Sequence, residues 1–402
     1  MLKENLSIIA RTLVRYGFQR IPGRDPCFEG LIKARGLEFG IRITAIDPSF
    51  LKLPIATLVS RPKSLEGLLP HIEKNKTLCY LERLGIFLDP LEPARTTLMV
   101  IGAIKSLLES YFDEDHITAD FADEFVAYWE GQYKCCLITD QQIGVSKLVE
   151  VKDIQGNKIP EYVVAHDQEG LQDWCGRRKA DLPDQKKTGT AITLTITEPP
   201  QVENDKPWPP QRWPNFLDWL KTKHPNLERQ LLQALLGVTK EQTSTAIIIR
   251  SDQSGPFGVY VRFSQELIKI SERFRPRRPQ KTKRKKSKDP LTRFRQTVRN
   301  QLLVKKFFRL HVVDVTEQFV YERNLLTKSL RNREIAVLGC GTIGGFAANL
   351  LIKAGAGTGN KGMLDLYDED TLSGANLGRH LLGVEYLFES KGAAMAIRRQ
   401  LT

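Results

Sequence analysis

The chain of 402 residues is poor in cysteine: it has six, and no two of them form a Cys-x-x-Cys pair. That argues against a disulfide scaffold and against a structural zinc site. No run of about 18 apolar residues occurs, so no helical membrane span is expected. The N-terminal stretch MLKENLSIIARTLVRYGF lacks the long apolar core of a signal peptide. It is patterned like an amphipathic helix, and the chain is expected to be cytoplasmic. Charge of one sign is also scarce once it is localised. The formal net charge is +13, yet residues 273–309 hold sixteen Lys and Arg against one acid, Asp289. The basicity therefore belongs to one segment, and the remaining residues are close to neutral.

What is present is enough apolar material, 41% of residues, for two or three cored domains. Residues 1–17 read as a helix, and 27–61 as three strands punctuated by Gly30, Gly36, Gly40 and Asp47-Pro48. Residues 94–110 carry a helical repeat at positions 98, 101, 104, 107 and 108. A further helix is expected over 118–131, with Phe121, Phe125, Tyr128 and Trp129. From about 133 to 270, strand-like runs (AITLTIT, TAIIIRS, GVYVRF) surround a helix near 214–236. This region holds no chemical motif and reads as a mixed α/β linker domain. Its proline-rich stretch PPQVENDKPWPPQRWP reads as an exposed loop or hinge. The basic run RFRPRRPQKTKRKKSKDP reads as a disordered loop, either a solvated surface or a contact for nucleic acid or an acidic partner surface.

The clearest chemistry starts at Ile335. In IAVLGCGTIGGFAANLLIKAGAG a buried strand runs through a glycine turn into a helix. Gly339 permits the tight turn, Gly341 lets backbone approach phosphate, and Gly344 lets the helix pack on the strand. The helix N-terminus then faces an anion with free N–H groups. A second strand, MLDLYDED, ends at Asp368, whose carboxylate can accept hydrogen bonds from ribose hydroxyls. This much suits a nicotinamide-dependent oxidoreductase as well. The residues beyond decide: Asn376, Arg379 and Lys391 bring donors and positive charge to where a triphosphate would need them.

At these residues the sequence resembles the nucleotide-binding half of the E1/ThiF/MoeB adenylating enzymes, through GCGTIGG, LDLYDEDTLSGANLGRH and SKGAAMA. The resemblance implies a partial Rossmann-like adenylation domain over 315–402. It implies ATP as cofactor, ribose held by Asp368, and triphosphate contacts from Asn376, Arg379, Lys391 and the three glycines. Asp370 completes the family's D-x-D. YERN at 321–324 resembles the arginine-bearing segment before the family's first strand, and brings in Arg323 and a possible homodimer. The family also needs further strands, an aspartate for Mg²⁺ and usually a catalytic cysteine. None of these falls within 315–402, so the adenylation part is expected to be incomplete, from a truncated product or a fragment.

The first 135 residues resemble the ubiquitin-conjugating E2 fold in its divergent prokaryotic form. The segment that carries this is LPHIEKNKTLCYLERLGIFLDPLEPARTT. Pro70-His71 precedes Cys79, and Asp89-Pro90 and Pro93 lead into a helix. The match implies a thioester on Cys79, since a thiolate takes an acyl group and keeps it reactive toward an amine. His71 is a catalytic candidate that could equally hold the loop, and Asn75 a candidate oxyanion donor. Cys27, Cys135, Cys136, Cys175 and Cys340 read as structural or surface residues.

The fold class expected is therefore α/β and α+β multidomain. An E2-like domain (1–135), a linker domain (136–272) and a basic segment (273–314) precede the partial adenylation domain. The order resembles the E2–E1 fusion proteins of bacterial defence operons of the type II CBASS kind. That resemblance implies activation of a partner's C-terminal carboxylate, on a cGAS-like nucleotidyltransferase or a ubiquitin-like protein, and its conjugation to an amine. The alternatives are a sulfur-carrier activator with a non-catalytic front domain, and a truncated binding protein.

Overall fold

In the computed structural model the described residues are 2–81, 88–139, 144–151, 161–180, 189–203, 207–238, 244–274, 290–323 and 329–400. They form two compact units. One comprises Met1–Glu130, Ile196–Glu228 and Ser251–Gly255, and the other Gly131–Thr195, Arg229–Arg250 and Pro256–Thr402.

The first unit begins with helix α1 (Leu2–Arg15), followed by strands β1 (Gln19–Arg20), β2 (Phe28–Ala34), β3 (Leu37–Thr44) and β4 (Ile55–Ser60). The four strands pair in that order as an antiparallel sheet. Helices α2 (Pro93–Ser110), α3 (Glu114–Asp123) and α4 (Phe125–Trp129) follow. Alternation along β3 sends Phe39, Ile41 and Ile43 to one face, where they meet Ile9 and Leu13 of α1 and Ile104 and Leu108 of α2 in one core. Each such side chain contributes roughly 1.5–3 kcal/mol on burial. Two sequence readings shift in detail. The buried stripe of α2 is Thr97, Val100, Ile101, Ile104 and Leu108, while Leu98 is exposed. The helix expected over 118–131 is two helices, broken at Glu124 and ended at Glu130 in a left-handed conformation.

The second unit opens with β5 (Tyr133–Leu137), β6 (Gly144–Val151), β7 (Glu161–Ala165), α5 (Gln168–Arg177) and β8 (Gly189–Ile196). Next in the chain are α6 (Trp213–Lys223) and α7 (Pro225–Val238), then β9 (Ser244–Ser251) and β10 (Phe257–Phe263). Then come α8 (Gln265–Ser271), α9 (Pro290–Val298) and β11 (Val304–Asp314). Strands β5–β11 close into a barrel in the order β10-β11-β5-β7-β6-β8-β9. Its core gathers Cys135, Leu137, Leu148, Tyr162, Val164, Ala246, Ile248, Tyr260, Phe308 and Leu310. Residues of opposite parity, Val149, Val151, Val163 and Ala165, pack with Leu171 and Cys175 of α5.

This arrangement cuts across the expected linker domain and basic segment. Residues 304–314 are a barrel strand paired with β10 and β5, and 290–298 are helical. Residues 275–289, on which most of the basic-loop reading rests, lie outside the described residues. Ile196–Glu228 belongs with the first unit. The physical reason is aromatic: Trp208, Phe216 and Trp219 pack against Phe125 and Trp129 with ring centroids 5.6–6.1 Å apart. Part of the proline-rich stretch is accordingly packed, although Pro199, Pro207, Gln211 and Arg212 are exposed. Pro209 and Pro210 are buried, and the Trp208 indole N–H donates to the Tyr128 carbonyl (3.0 Å).

The chain ends in α10 (Glu317–Glu322), β12 (Glu334–Leu338), α11 (Thr342–Lys353), β13 (Met363–Tyr367) and α12 (Lys391–Gln400). Strands β12 and β13 are parallel and in register from Glu334–Met363 to Leu338–Tyr367. A two-stranded parallel sheet cannot bury both faces, and Leu338, Tyr367 and Met363 are exposed.

Candidate functional site

Two regions gather the chemistry, one in each unit. In the first, residues 71–79 turn back on themselves beside β4. Glu73 N–H donates to Thr77 O, Lys76 N–H to Glu73 O, and Cys79 N–H to His71 O (2.8–2.9 Å). Thr77 bridges to Thr57 of β4, and Ile72 to Leu78. Leu78, 3% exposed, anchors the returning arm in the core, which leaves its neighbour Cys79 exposed. Asn75 sits at the turn, where its side-chain oxygen accepts from Thr77 N–H (3.0 Å). This is an Asx turn that accounts for the residue locally.

Cys79 and His71 share the lining of a pocket of about 630 Å³ with Arg61, Leu69, Glu124 and Tyr128. The His71 ring lies between two carboxylates: Nε2 is 3.2 Å from Asp120 Oδ2 and Nδ1 is 3.5 Å from Glu124 Oε2. The structure thus joins His71 to Cys79 through backbone and turns the imidazole toward α3 and the break before α4. Asp120, Glu124 and Tyr128 are further candidate site residues that the sequence reading passed over as helix. The four-residue spacing of His116, Asp120, Glu124 and Tyr128 would mark one face of a continuous helix, a signal that the break at Glu124 interrupts; His116 Nε2 lies 3.5 Å from Asp120 Oδ2.

Cys79 is the exposed member of the six cysteines. Burial raises the thiols of Cys135, Cys175 and Cys340. It also pushes Cys136 up to about 12, with a hydrogen bond to Glu161 adding to the effect. A thiol held protonated is a poor nucleophile.

In the second unit, β12 leads through Gly339, Cys340 and Gly341 into α11. Gly339 has φ +87°, and its N–H donates to Tyr367 O (2.7 Å). A Cβ on Gly344 would overlap the Gly339 carbonyl oxygen, whereas among the described residues nothing beyond its chain neighbours lies within 4 Å of one built on Gly341. The third glycine is thus needed for close packing and the second opens onto free space. Asp368, just past β13, accepts from Cys340 N–H through one oxygen and from Asp370 N–H through the other (2.8 Å). Asp370 in turn holds Lys391, 6% exposed, with Nζ–Oδ2 at 2.8 Å. Asn376 Oδ1 accepts from the backbone N–H and the hydroxyl of Ser373 (both 2.9 Å), which fixes the turn leading to Arg379. The Arg379 side chain is exposed.

The structure links Asp368, Asp370 and Lys391 by hydrogen bonds to the turn that holds Gly339, Cys340 and Gly341, packs Gly344 against Gly339, and sets Asn376 and Arg379 on the loop that follows β13. Arg323 ends α10 with its guanidinium 5.3 Å over the Phe319 ring. Sequence reading missed His380, which is 9% exposed. Its Nδ1 accepts from Leu382 N–H (3.1 Å), so its Nε2 carries the proton and donates to Cys340 O (2.7 Å). The ring thereby ties the glycine turn to the Asn376–Arg379 loop. An open glycine cradle at the start of a 12-residue helix, with Lys391 and Arg379 nearby, has the donor set of a polyphosphate site.

Comparison with known proteins adds identity to this geometry. Residues 5–137 match the model of prokaryotic E2 family B, and residues 315–399 that of the ThiF family. An ATP-dependent ubiquitin transferase-like protein Cap2 from Pseudomonas aeruginosa is 26% identical over 355 residues, 87% of this chain and 60% of that protein. The Escherichia coli protein of the same name is 24% identical over 377 residues, 88% of this chain and 60% of the relative. The Vibrio cholerae one is 26% identical over 381 residues, 90% and 62%. The chain spans about 60% of the length of these relatives. The chain thus joins a front region that matches prokaryotic E2 family B to an end region that matches the ThiF family.

Proposed function

We propose that the chain acts in ubiquitin-like conjugation: a protein's C-terminal carboxylate, activated with ATP, is carried as a thioester on Cys79 and delivered to an amine. The observation that carries this reading is the pairing in one chain of an exposed, pocketed Cys79 with a glycine cradle bonded to Asp368. The relatives' names support it, since each is called an ATP-dependent ubiquitin transferase-like protein.

ATP, as a substrate, supplies the adenylyl group that makes the carboxylate a good acyl donor. Toward it, the first-turn N–H groups of α11 would meet phosphate, and Arg379 and Lys391 would offset its charge. Asp368 keeps outward lone pairs for ribose hydroxyls while its inward ones hold the loop. Mg²⁺ would accompany the nucleotide. Among the described residues no group of three or more His, Cys, Asp or Glu side chains is placed to hold it.

At Cys79 the thiolate attacks the carbonyl carbon of the acyl adenylate, the C–S bond forms as the acyl–oxygen bond breaks, and AMP leaves. The incoming amine then displaces the thiolate and gives up a proton, which the His71–Asp120–Glu124 group would accept. The acyl donor in this reading is the C-terminus of a cGAS-like nucleotidyltransferase or a ubiquitin-like protein, in a CBASS-like antiviral setting in the cytoplasm. A homodimer would bring Arg323 to a neighbouring nucleotide site.

Incubation with ATP, Mg²⁺ and a candidate donor protein tests the reading. The wild-type chain should form a reductant-sensitive adduct at Cys79, Cys79→Ser a reductant-resistant ester, and Cys79→Ala neither. Conjugate formation undiminished in Cys79→Ala would sink the thioester route and leave a carrier-activating enzyme with a non-catalytic front domain.

A further inference from the structure

The peptide bond between Pro70 and His71 is gripped at both ends by tyrosines from different helical segments. Its carbonyl accepts from the hydroxyl of Tyr111 (3.0 Å), at the C-terminal end of α2. Its N–H donates to the hydroxyl oxygen of Tyr128 (2.7 Å), in α4. The Tyr128 hydroxyl in turn donates a hydrogen bond to Glu124 Oε2 (3.3 Å), the carboxylate oxygen 3.5 Å from His71 Nδ1. His71 itself has φ +58°. A non-glycine residue there is strained and persists only where its surroundings hold it. The carbonyl of this strained residue then accepts the Cys79 N–H (2.8 Å).

We infer that Tyr111 and Tyr128 are positioning residues that hold His71 in its left-handed conformation, and through its carbonyl fix the backbone of Cys79 in the pocket. The inference rests on the thioester reading for its consequence in transfer, though not for its geometry. In this scheme each tyrosine acts through the Pro70–His71 peptide and does no chemistry on the acyl group, although Tyr128 lines the Cys79 pocket. Tyr111 is 1% exposed and packs in the core that α2 shares with the sheet. The Tyr128 ring sits edge-on to Phe121 at 5.0 Å. Both rings are therefore held by packing, which leaves the hydroxyls to act on the peptide. Burial raises both phenols well above their ordinary range, so both hydroxyls keep their protons across any working pH. Removing either hydroxyl leaves a peptide group of the loop without its partner, where the cost of an unmade bond is greatest.

Tyr128→Phe and Tyr111→Phe keep the rings and delete the hydroxyls. The test follows amide exchange in the peptide spanning residues 70–80 and the pH profile of Cys79 alkylation by iodoacetamide, read by mass spectrometry on the full chain. Each variant should speed exchange in that peptide roughly tenfold and move the alkylation profile, with no change in β3. Unaltered exchange and an unaltered profile would overturn the inference. So would faster exchange throughout β3, which would make the tyrosines supports of the fold and not of the site. Acyl transfer, measured alongside, should lose kcat at constant KM. If the wild-type chain forms no Cys79 adduct at all, the thioester reading fails, while exchange and alkylation still decide the clamp.

Discussion

His224 is 3% exposed, and among the described residues neither ring nitrogen has a hydrogen-bond partner; the ring rests edge-on against Trp219 at 5.3 Å. Burial, aided by the charge of Lys223, lowers its pKa from 6.5 to about 4. The unfolded chain gains a proton as pH falls through about 6.5, and the folded chain only near 4. Between those values the unfolded state binds more protons. Stability is therefore complete above about 6.5 and declines as pH falls, by up to about 1.4 kcal/mol per unit. His224→Phe keeps the aromatic contact and removes the titration. Urea midpoints at pH 7, 5.5 and 4.5 should show the wild type losing more stability than the variant, and parallel losses would refute the assignment. A second residue-scale prediction concerns Lys391, buried beside the exposed carboxylate of Asp370. Asp370→Ala strands a buried ammonium, whereas Lys391→Met removes the charge and keeps the stem. Thermal melts should rank Asp370→Ala as the more harmful, by about 1–2 kcal/mol once solvent screening at Asp370 is allowed for.

At the scale of elements, the contact between the β12–α11 turn and the start of its helix is set by absence of a side chain. Gly344→Val would drive a side chain into the Gly339 carbonyl and pry the helix N-terminus from the turn. Binding of a non-hydrolysable ATP analogue, followed by calorimetry, should be lost or weakened at least tenfold, while alkylation of Cys79 proceeds at the wild-type rate. Retained nucleotide affinity would show that the phosphate cradle is not where the glycines put it.

Across the whole molecule, the first unit is assembled from stretches far apart in the chain. Trp219 is fully buried among Phe125, Trp129 and Trp208, and its indole N–H donates to Gln201 O (2.9 Å). Trp219→Ala should cost about 3–5 kcal/mol. Amide exchange should speed in α4 and stay unchanged in the barrel strand β10. An equal rise in both would mean that the two units do not open separately.

Legibility followed sequence separation. Gly339, Gly341, Gly344, Asp368, Asn376, Arg379 and Lys391 lie within some fifty residues, and the parallel β12–β13 pair places them by local rules alone: a turn, a helix start, a strand end. The sequence by itself therefore determined the nucleotide half of the site and singled out Cys79 between Pro70-His71 and Asp89-Pro90. It also placed the three strands β2–β4 within 27–61, because Gly36 and Asp47-Pro48 mark the turns between them. Only the tertiary structure decided what surrounds Cys79. Asp120, Glu124 and Tyr128 reach His71 from 49 to 57 positions away, through a helix break whose direction no local pattern specifies. The same holds for the barrel, in which β11 lies beside β5, and for the tryptophans that return to α4. These contacts are chosen by which buried faces fit each other, a property of pairs of elements that no single stretch of chain encodes.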